Sequence, residues 1–326
     1  MKPVILLTGK NGQIGGELFR LLPQLGEVVA PGREQLDLSK PDDIRRTIMD
    51  VRPQLIVNAA AYTAVDQAEK DQAAAQAINQ EAPGLMAEEA KKIGAILLHY
   101  STDYVFDGTK RVPYDEADSA NPINIYGKTK FAGEQVIRSS GVPHLIFRTA
   151  WVYATRGHNF LMTIVRLATE REELRIVSDQ VGAPTCAANL AAATCKILAG
   201  ISKRNHGQFV FTDVSGTYHM SAAGQTTWYR FAQTILEEAV ATQHDLAWLS
   251  DATKRRQLIA QRVIPISTEE FGSRTCRPAY SVLSNSRLVQ IFGVALPDWR
   301  AQLEQCFVFD NIVAEGSPQR FRNEDC

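Results

Sequence analysis

Tyr126-Gly127-Lys128-Thr129-Lys130 sets a phenol and an ammonium four residues apart, which places them on one face if the segment is helical. An unperturbed phenol titrates near pH ~10, and a cation beside it stabilises its anion. Such a pair can make tyrosine a usable acid near neutral pH, able to protonate a carbonyl while a dinucleotide delivers hydride. An exposed helix pair without chemistry is the commoner meaning of the pentad, so order along the chain has to decide. Upstream stand Ser101-Thr102 and, near the start, Gly9, Gly12 and Gly15. The glycines follow an apolar run at 4–7 and precede Ile14, Leu18, Leu21 and Leu22 at helical spacing. Strand, tight turn and helix form the context in which such glycines bind a dinucleotide: the turn closes tightly, the backbone can approach the pyrophosphate, and the helix N-terminus favours its charge.

The elements that must position these groups are legible as apolar runs alternating with helical periods. Strands are expected at 4–7, 28–30, 54–58, 95–100 and 144–148, and helices at 14–22, 41–51, 73–92 and 124–139. Their alternation predicts an α/β fold, a doubly wound parallel sheet of Rossmann type covered on both faces. Ligands bind beyond the carboxyl ends of such strands, where Thr8, Asn58 and Ser101 stand. Past Trp151 the rhythm is less regular: a helix over 160–172, a strand at 174–177, a helix over 187–198, a strand at 208–211, and a helix over 228–240 that Thr227 can cap. Loops and short elements follow over 246–286. The organisation expected is a dinucleotide-binding domain over 1–150, rejoined by about 172–215, a smaller C-terminal substrate-binding domain from 151–171 and 216–310, and a polar tail at 311–326.

Bulk properties narrow the class. At 326 residues two domains of roughly 150 residues fit. The net charge of −1 leaves no basic footprint for nucleic acid. No apolar run approaches the ~20 residues that cross a bilayer. The five cysteines form no Cys-x-x-Cys pair, which argues against a disulfide framework or zinc site and fits reduced thiols in a cytoplasm. The six histidines show no ligand-like spacing.

The glycine spacing is Gly-x-x-Gly-x-x-Gly, and with Asn58-Ala59-Ala60-Ala61, Ser101-Thr102 and Tyr126-x-x-x-Lys130 in that order the chain resembles the extended short-chain dehydrogenases/reductases. The longer segments from Asn58 to Asp66, Tyr100 to Gly108, Asn124 to Lys130, Phe147 to Tyr153, Gly182 to Thr185 and Arg277 to Ser281 narrow the resemblance to the dTDP-4-dehydrorhamnose reductases, over roughly residues 1 to 308. That resemblance implies reduction of the C4 ketone of dTDP-4-dehydro-L-rhamnose to dTDP-L-rhamnose. Tyr126 would donate the proton, Lys130 would hold the nicotinamide ribose and favour the phenolate, and Thr102 would bond the substrate carbonyl. Thr102, Asp103 and Trp151 would meet the sugar nucleotide, with core packing as the rival role for the Trp151 indole. Gly9, Asn11, Gly12, Gln13, Ile14 and Gly15 would line the pyrophosphate, Asp37 and Leu38 the adenine, Ala61, Tyr62 and Thr63 the middle of the cofactor, and Tyr100 the approach to nicotinamide.

Arg33 lies just after the second strand, where a 2′-phosphate can be met, and no acidic residue closes that strand to take ribose hydroxyls. NADPH is therefore expected ahead of NADH, a solvated arginine being the plain alternative. Family members can bridge a dimer contact with magnesium through acidic side chains. Glu17 matches one such position, but Ala188 stands where a second carboxylate is expected, and a lone carboxylate is a poor magnesium site. The homodimer is thus expected without assurance of a metal. The competing expectations are another sugar-nucleotide reductase or epimerase on the same scaffold, and a non-catalytic NADP-binding regulatory subunit.

Overall fold

A computed structural model describes residues 2–308 except 243, 244 and 274, so the tail expected at 311–326 lies outside the described residues. Strands β1 (Val4–Thr8), β2 (Glu27–Val29), β3 (Leu55–Asn58), β4 (Ile96–Thr102) and β5 (His144–Thr149) fall at the expected apolar runs. With β6 (Gly216–His219) they form one sheet in the order β6-β5-β4-β3-β1-β2, every pairing parallel. Central strands in such a sheet are covered on both faces and so read as continuous apolar runs. Side-chain alternation sends Ile5 and Leu7 to one face and Leu6 to the other. The first face packs on α1 (Gln13–Leu21) and, through Leu190 and Leu198, on a helix at Ala187–Arg204; the second packs on Ile44 and Ile48 of α2 (Pro41–Val51), Met86 of α3 (Ala82–Ile93) and Ile137 of α4 (Ile125–Ser140). A separate core gathers Tyr153 of the short strand Val152–Tyr153 with Ile164, Phe231, Ile235, Leu303 and Phe307 from helices at Phe160–Ala168, Trp228–Ala241 and Trp299–Val308.

Three elements depart from the sequence reading. Residues 208–211 form no strand; Phe209 and Phe211 drop into the core, a turn at Thr212–Val214 follows, and 216–219, expected with the substrate domain, supplies the sixth strand of the central sheet. Alternating aromatics satisfy burial from an extended anchor as well as from a strand, so their period alone cannot separate the two. The strand at Glu173–Val177 pairs with Arg262–Ile266 and not with the central sheet. The helix expected at 73–92 is interrupted: α-turns at Gln72–Gln76 pass through a π-helical stretch, Ala77–Glu81, into α3. Pro83 has no N–H to offer the Asn79 carbonyl four residues back, and that oxygen faces Gly133 of α4, where a Cβ would sit 2.1 Å from it. The π turn thereby brings Asn79 to the site, a common use of such turns.

Candidate active site

The glycine loop closes as its composition requires. Gly9 adopts φ +74°, and a Cβ there would lie 2.7 Å from the Ala60 nitrogen; at Gly15 a Cβ would lie 2.0 Å from the Gly9 carbonyl oxygen. The first glycine thus lets the loop turn against the end of β3, and the last lets α1 start close behind it. Asn11 and Gly12 stand exposed at the tip, with Gln13 and Ile14 half-buried. The ends of β1 and β3 are joined by the Thr8 hydroxyl, which donates to Asn58 Oδ1 at 2.7 Å.

Helix α4 carries the phenol and the ammonium. Asn124 caps it, its side chain accepting from the Gly127 N–H at 2.8 Å, and Gly141 ends it at φ +72°. Gly127 allows the first turn to press on the strand end, since a Cβ would meet the Tyr104 carbonyl oxygen at 2.2 Å. Tyr126 is brought to Thr102, with its ring edge-on to Tyr104 at 5.5 Å. Asn79 bonds both the N–H and the carbonyl of Tyr62 and donates to Thr129 on α4, which ties the loop carrying Ala61, Tyr62 and Thr63 to this helix.

The electrostatics differ from the expectation that Lys130 softens the phenol. Burial pushes Tyr126 up to about 12, the hydrogen bond with Thr102 acts downward, and the Asp103 carboxyl acts upward. Lys130, only 2% exposed, instead places Nζ 3.2 Å from His99 Nε2 and donates to the Tyr100 carbonyl at 2.6 Å. Burial brings its own value down to about 8, with Glu134 acting the other way. The polar partners of the Lys130 nitrogen thus lie on the strand beside it, and Lys130 is not among the groups that shift the phenol one turn away. Tyr100 is also placed differently from expectation. Its carbonyl reaches the site, but its ring lies in the core on the opposite face and its hydroxyl pairs with Thr194 at 2.6 Å.

Asp103 is buried beside Thr102, whose hydroxyl donates to Oδ1 at 3.1 Å; Ser281 lies close enough to act on the carboxyl, yet Oδ2 has no partner within hydrogen-bonding distance. Burial raises this carboxyl from 3.8 to about 6, against the Ser281 and Thr102 hydroxyls. The folded state therefore holds the proton more tightly than the unfolded chain, and stability present below about pH 4 is lost as pH rises towards 6. Asp103→Asn keeps the acceptor for Thr102 and removes this loss. Urea unfolding should show the variant more stable than the parent at pH 7 and equal to it near the acid limit; a gain of the same size at both would contradict the assignment.

Trp151 adopts φ +47° and stacks on Trp228 at 3.5 Å between centroids and 5° between planes, while Gly182 leaves room for the indole. One face of Trp151 is thus taken by packing. Arg33 is exposed in the loop after β2, where its charge reaches Asp37, a carboxyl held below its ordinary value chiefly by hydrogen bonds from Ser39. Leu38 is half-buried in the same loop. Glu17 is occupied by guanidinium groups: Arg156 donates to it at 3.1 Å and Arg20 lies at 3.5 Å. Arg156 also bonds the carbonyls of Gly12 and Gln13, crossing α1 where Gly16 has no side chain. Among the described residues no three His, Cys, Asp or Glu side chains gather as a metal site.

Several groups at this site were not singled out by sequence reasoning. Beneath Ser101, Glu134 accepts from Arg148 at 2.9 and 2.7 Å, from Arg138 at 3.0 Å and from Ser101 at 2.6 Å, all in the buried or half-buried interior. The Arg277 guanidinium grips Asp66 at 2.9 and 2.8 Å, and Asn124 donates to the Cys276 carbonyl at 2.8 Å, so the late Arg277-Pro278 segment is fastened to the start of α4. Arg277 lies in a segment that carries the family resemblance; Glu134 and Arg148 carry no local signal that they meet.

The chain is similar to known proteins over most of its length. The sequence model of the family described as RmlD substrate binding domain covers residues 1–310. The dTDP-4-dehydrorhamnose reductase of Burkholderia thailandensis is 47% identical over 93% of this chain and 97% of the relative, and that of Escherichia coli K12 is 40% identical over 92% and 96%. Among solved structures, dTDP-4-dehydrorhamnose reductase from Bacillus anthracis in complex with NADP superposes with a TM-score of 0.80 at 35% identity, covering 94% of this chain and 99% of the other.

Proposed function

The chain belongs to the RmlD substrate-binding-domain family, that of the dTDP-4-dehydrorhamnose reductases, and from this premise we propose that it reduces the C4 ketone of dTDP-4-dehydro-L-rhamnose to dTDP-L-rhamnose with NADPH. The observation that carries the reading is the meeting of Thr102 and Tyr126 at the carboxyl end of β4, one helical turn from buried Lys130. Hydride reaches the carbonyl carbon from the reduced dinucleotide, and the oxygen, held by the Thr102 hydroxyl, takes its proton from Tyr126. Gly9, Gly12 and Gly15 leave the N-terminal end of α1 open to a pyrophosphate. The dinucleotide supplies the hydride; the protein's own groups orient the ketone and hold the proton. Burial keeps the phenol protonated through neutral pH, so it carries the proton it would give. Stoichiometric oxidation of NADPH on addition of dTDP-4-dehydro-L-rhamnose tests the reading, since an epimerase on this scaffold would return its hydride and consume none.

The reading extends to cofactor choice. Arg33 would bond the 2′-phosphate, an interaction of the charge-assisted kind worth about 1.5–3 kcal/mol. Arg33→Ala is expected to raise KM for NADPH by ~10–100-fold and leave NADH unchanged. Equal effects on the two cofactors would return Arg33 to the role of a solvated side chain. We further place the enzyme in the cytoplasm as a homodimer, on the reduced character of its scattered thiols and the family dimer; light scattering of a monomer would remove the dimer. No helix among the described residues is long and apolar enough to cross a membrane.

A further inference from the structure

We propose that His99 holds Lys130 as a neutral amine before the dinucleotide binds, and that Asn58 dictates this by fixing the tautomer of His99. Both would be positioning residues that act through Lys130, and the consequence for catalysis rests on the reductase reading above.

The argument follows donors and acceptors along one buried row. The Ala60 N–H donates to Asn58 Oδ1 at 3.3 Å, and the Thr8 hydroxyl donates to the same oxygen at 2.7 Å. A backbone N–H cannot donate to an amide nitrogen, so the Asn58 side chain has only one orientation, with Nδ2 towards His99. Nδ2 lies 3.0 Å from His99 Nδ1. An amide NH₂ only donates, so Nδ1 must accept, and a neutral imidazole that accepts at Nδ1 carries its proton on Nε2. Nε2 is the atom 3.2 Å from Lys130 Nζ. An ammonium has no lone pair, and one here would turn N–H against N–H. A neutral amine accepts from Nε2–H and still donates to the Tyr100 carbonyl at 2.6 Å.

The surroundings agree. His99 is fully buried and Lys130 nearly so, which disfavours the charged form of each. Glu134, one turn along α4, is the carboxylate whose charge reaches Lys130, and it is already engaged by Arg148, Arg138 and Ser101. Tyr126 on the preceding turn faces Thr102 and Asp103, and Asn79 of the π turn, which donates to Thr129 beside Lys130, is neutral. Lys130 can act as a cation only after the Nε2 contact is broken or His99 changes tautomer.

The test reads the tautomer of His99 by multiple-bond ¹H–¹⁵N correlation at mildly alkaline pH. Protein with ¹⁵N-labelled histidine is prepared free of dinucleotide, and the resonance is identified by its loss in His99→Gln. The Nε2–H form is expected, and the Nδ1–H form in the parent protein overturns the proposal without recourse to any variant. In Asn58→Asp the donor to Nδ1 becomes an acceptor. The variant should show the Nδ1–H form and move the alkaline limb of kcat/KM up by about one pH unit or more; retention of Nε2–H there would overturn the role of Asn58. The spectra need no substrate, so a protein with the expected tautomers and no reductase activity would support the assignment while removing the proposed reaction.

Discussion

Replacing Tyr126 by phenylalanine is expected to lower turnover by ~10²–10⁴-fold, the usual contribution of a positioned acid, with dinucleotide binding preserved. The substitution keeps the ring, its edge contact with Tyr104 and the fit of α4 against the strand end; it removes the hydroxyl that the Thr102 hydroxyl acts on. Because burial holds this phenol up at about 12, it stays protonated across the neutral range, and the loss should be as deep at pH 6 as at pH 8. Following NADPH oxidation for kcat and a fluorescence titration for cofactor affinity separates the two effects. Near-parental turnover with normal affinity would take the phenol out of the chemistry.

The second large effect concerns stability. Glu134→Leu leaves the Arg148 guanidinium, itself buried, without its carboxylate, and breaking a buried pair in this way costs about 3–5 kcal/mol. Burial acts to raise the Glu134 carboxyl, but the Arg148 guanidinium and the Ser101 hydroxyl outweigh it and hold it below its ordinary value. Urea unfolding of Glu134→Leu, of Arg148→Met and of the double variant closes the cycle. The double variant should recover most of the loss, because two apolar side chains carry no stranded charge. A single-variant cost below about 1 kcal/mol would mean that Arg148 relies on its other neighbours, the Phe106 ring at 5.2 Å and His219.

What could be read from the residues depended on how local each cause was. The strands at 4–7, 54–58 and 95–100 announce themselves because both faces are covered, and the glycine loop because its tight approach is made within seven residues. The sixth strand at 216–219 was missed because its only distinction from 208–211 is a partner, β5, some seventy residues earlier in the chain. Tyr126 and Lys130 were found as a spacing on one helix face, but that spacing says nothing of what stands opposite. His99, 31 residues from Lys130, and the Tyr100 carbonyl take the Lys130 nitrogen, a pairing that no spacing along α4 announces. Glu134 and Arg148 read as ordinary charges until the fold buries them together.

Three glycines give this scaffold a further property. At Gly15, Gly127 and Gly133 an added methyl would fall within about 2.2 Å of a carbonyl oxygen of another turn. They are required by backbone proximity, whatever reaction is run. A descendant of this chain that drifted out of catalysis could shed the phenol and the amine freely, yet it would keep these three positions bare or lose its architecture. Across a lineage, the glycines therefore record ancestry and the tyrosine records use, and a sequence with the first but not the second should be sought among proteins that have kept the shape for another purpose.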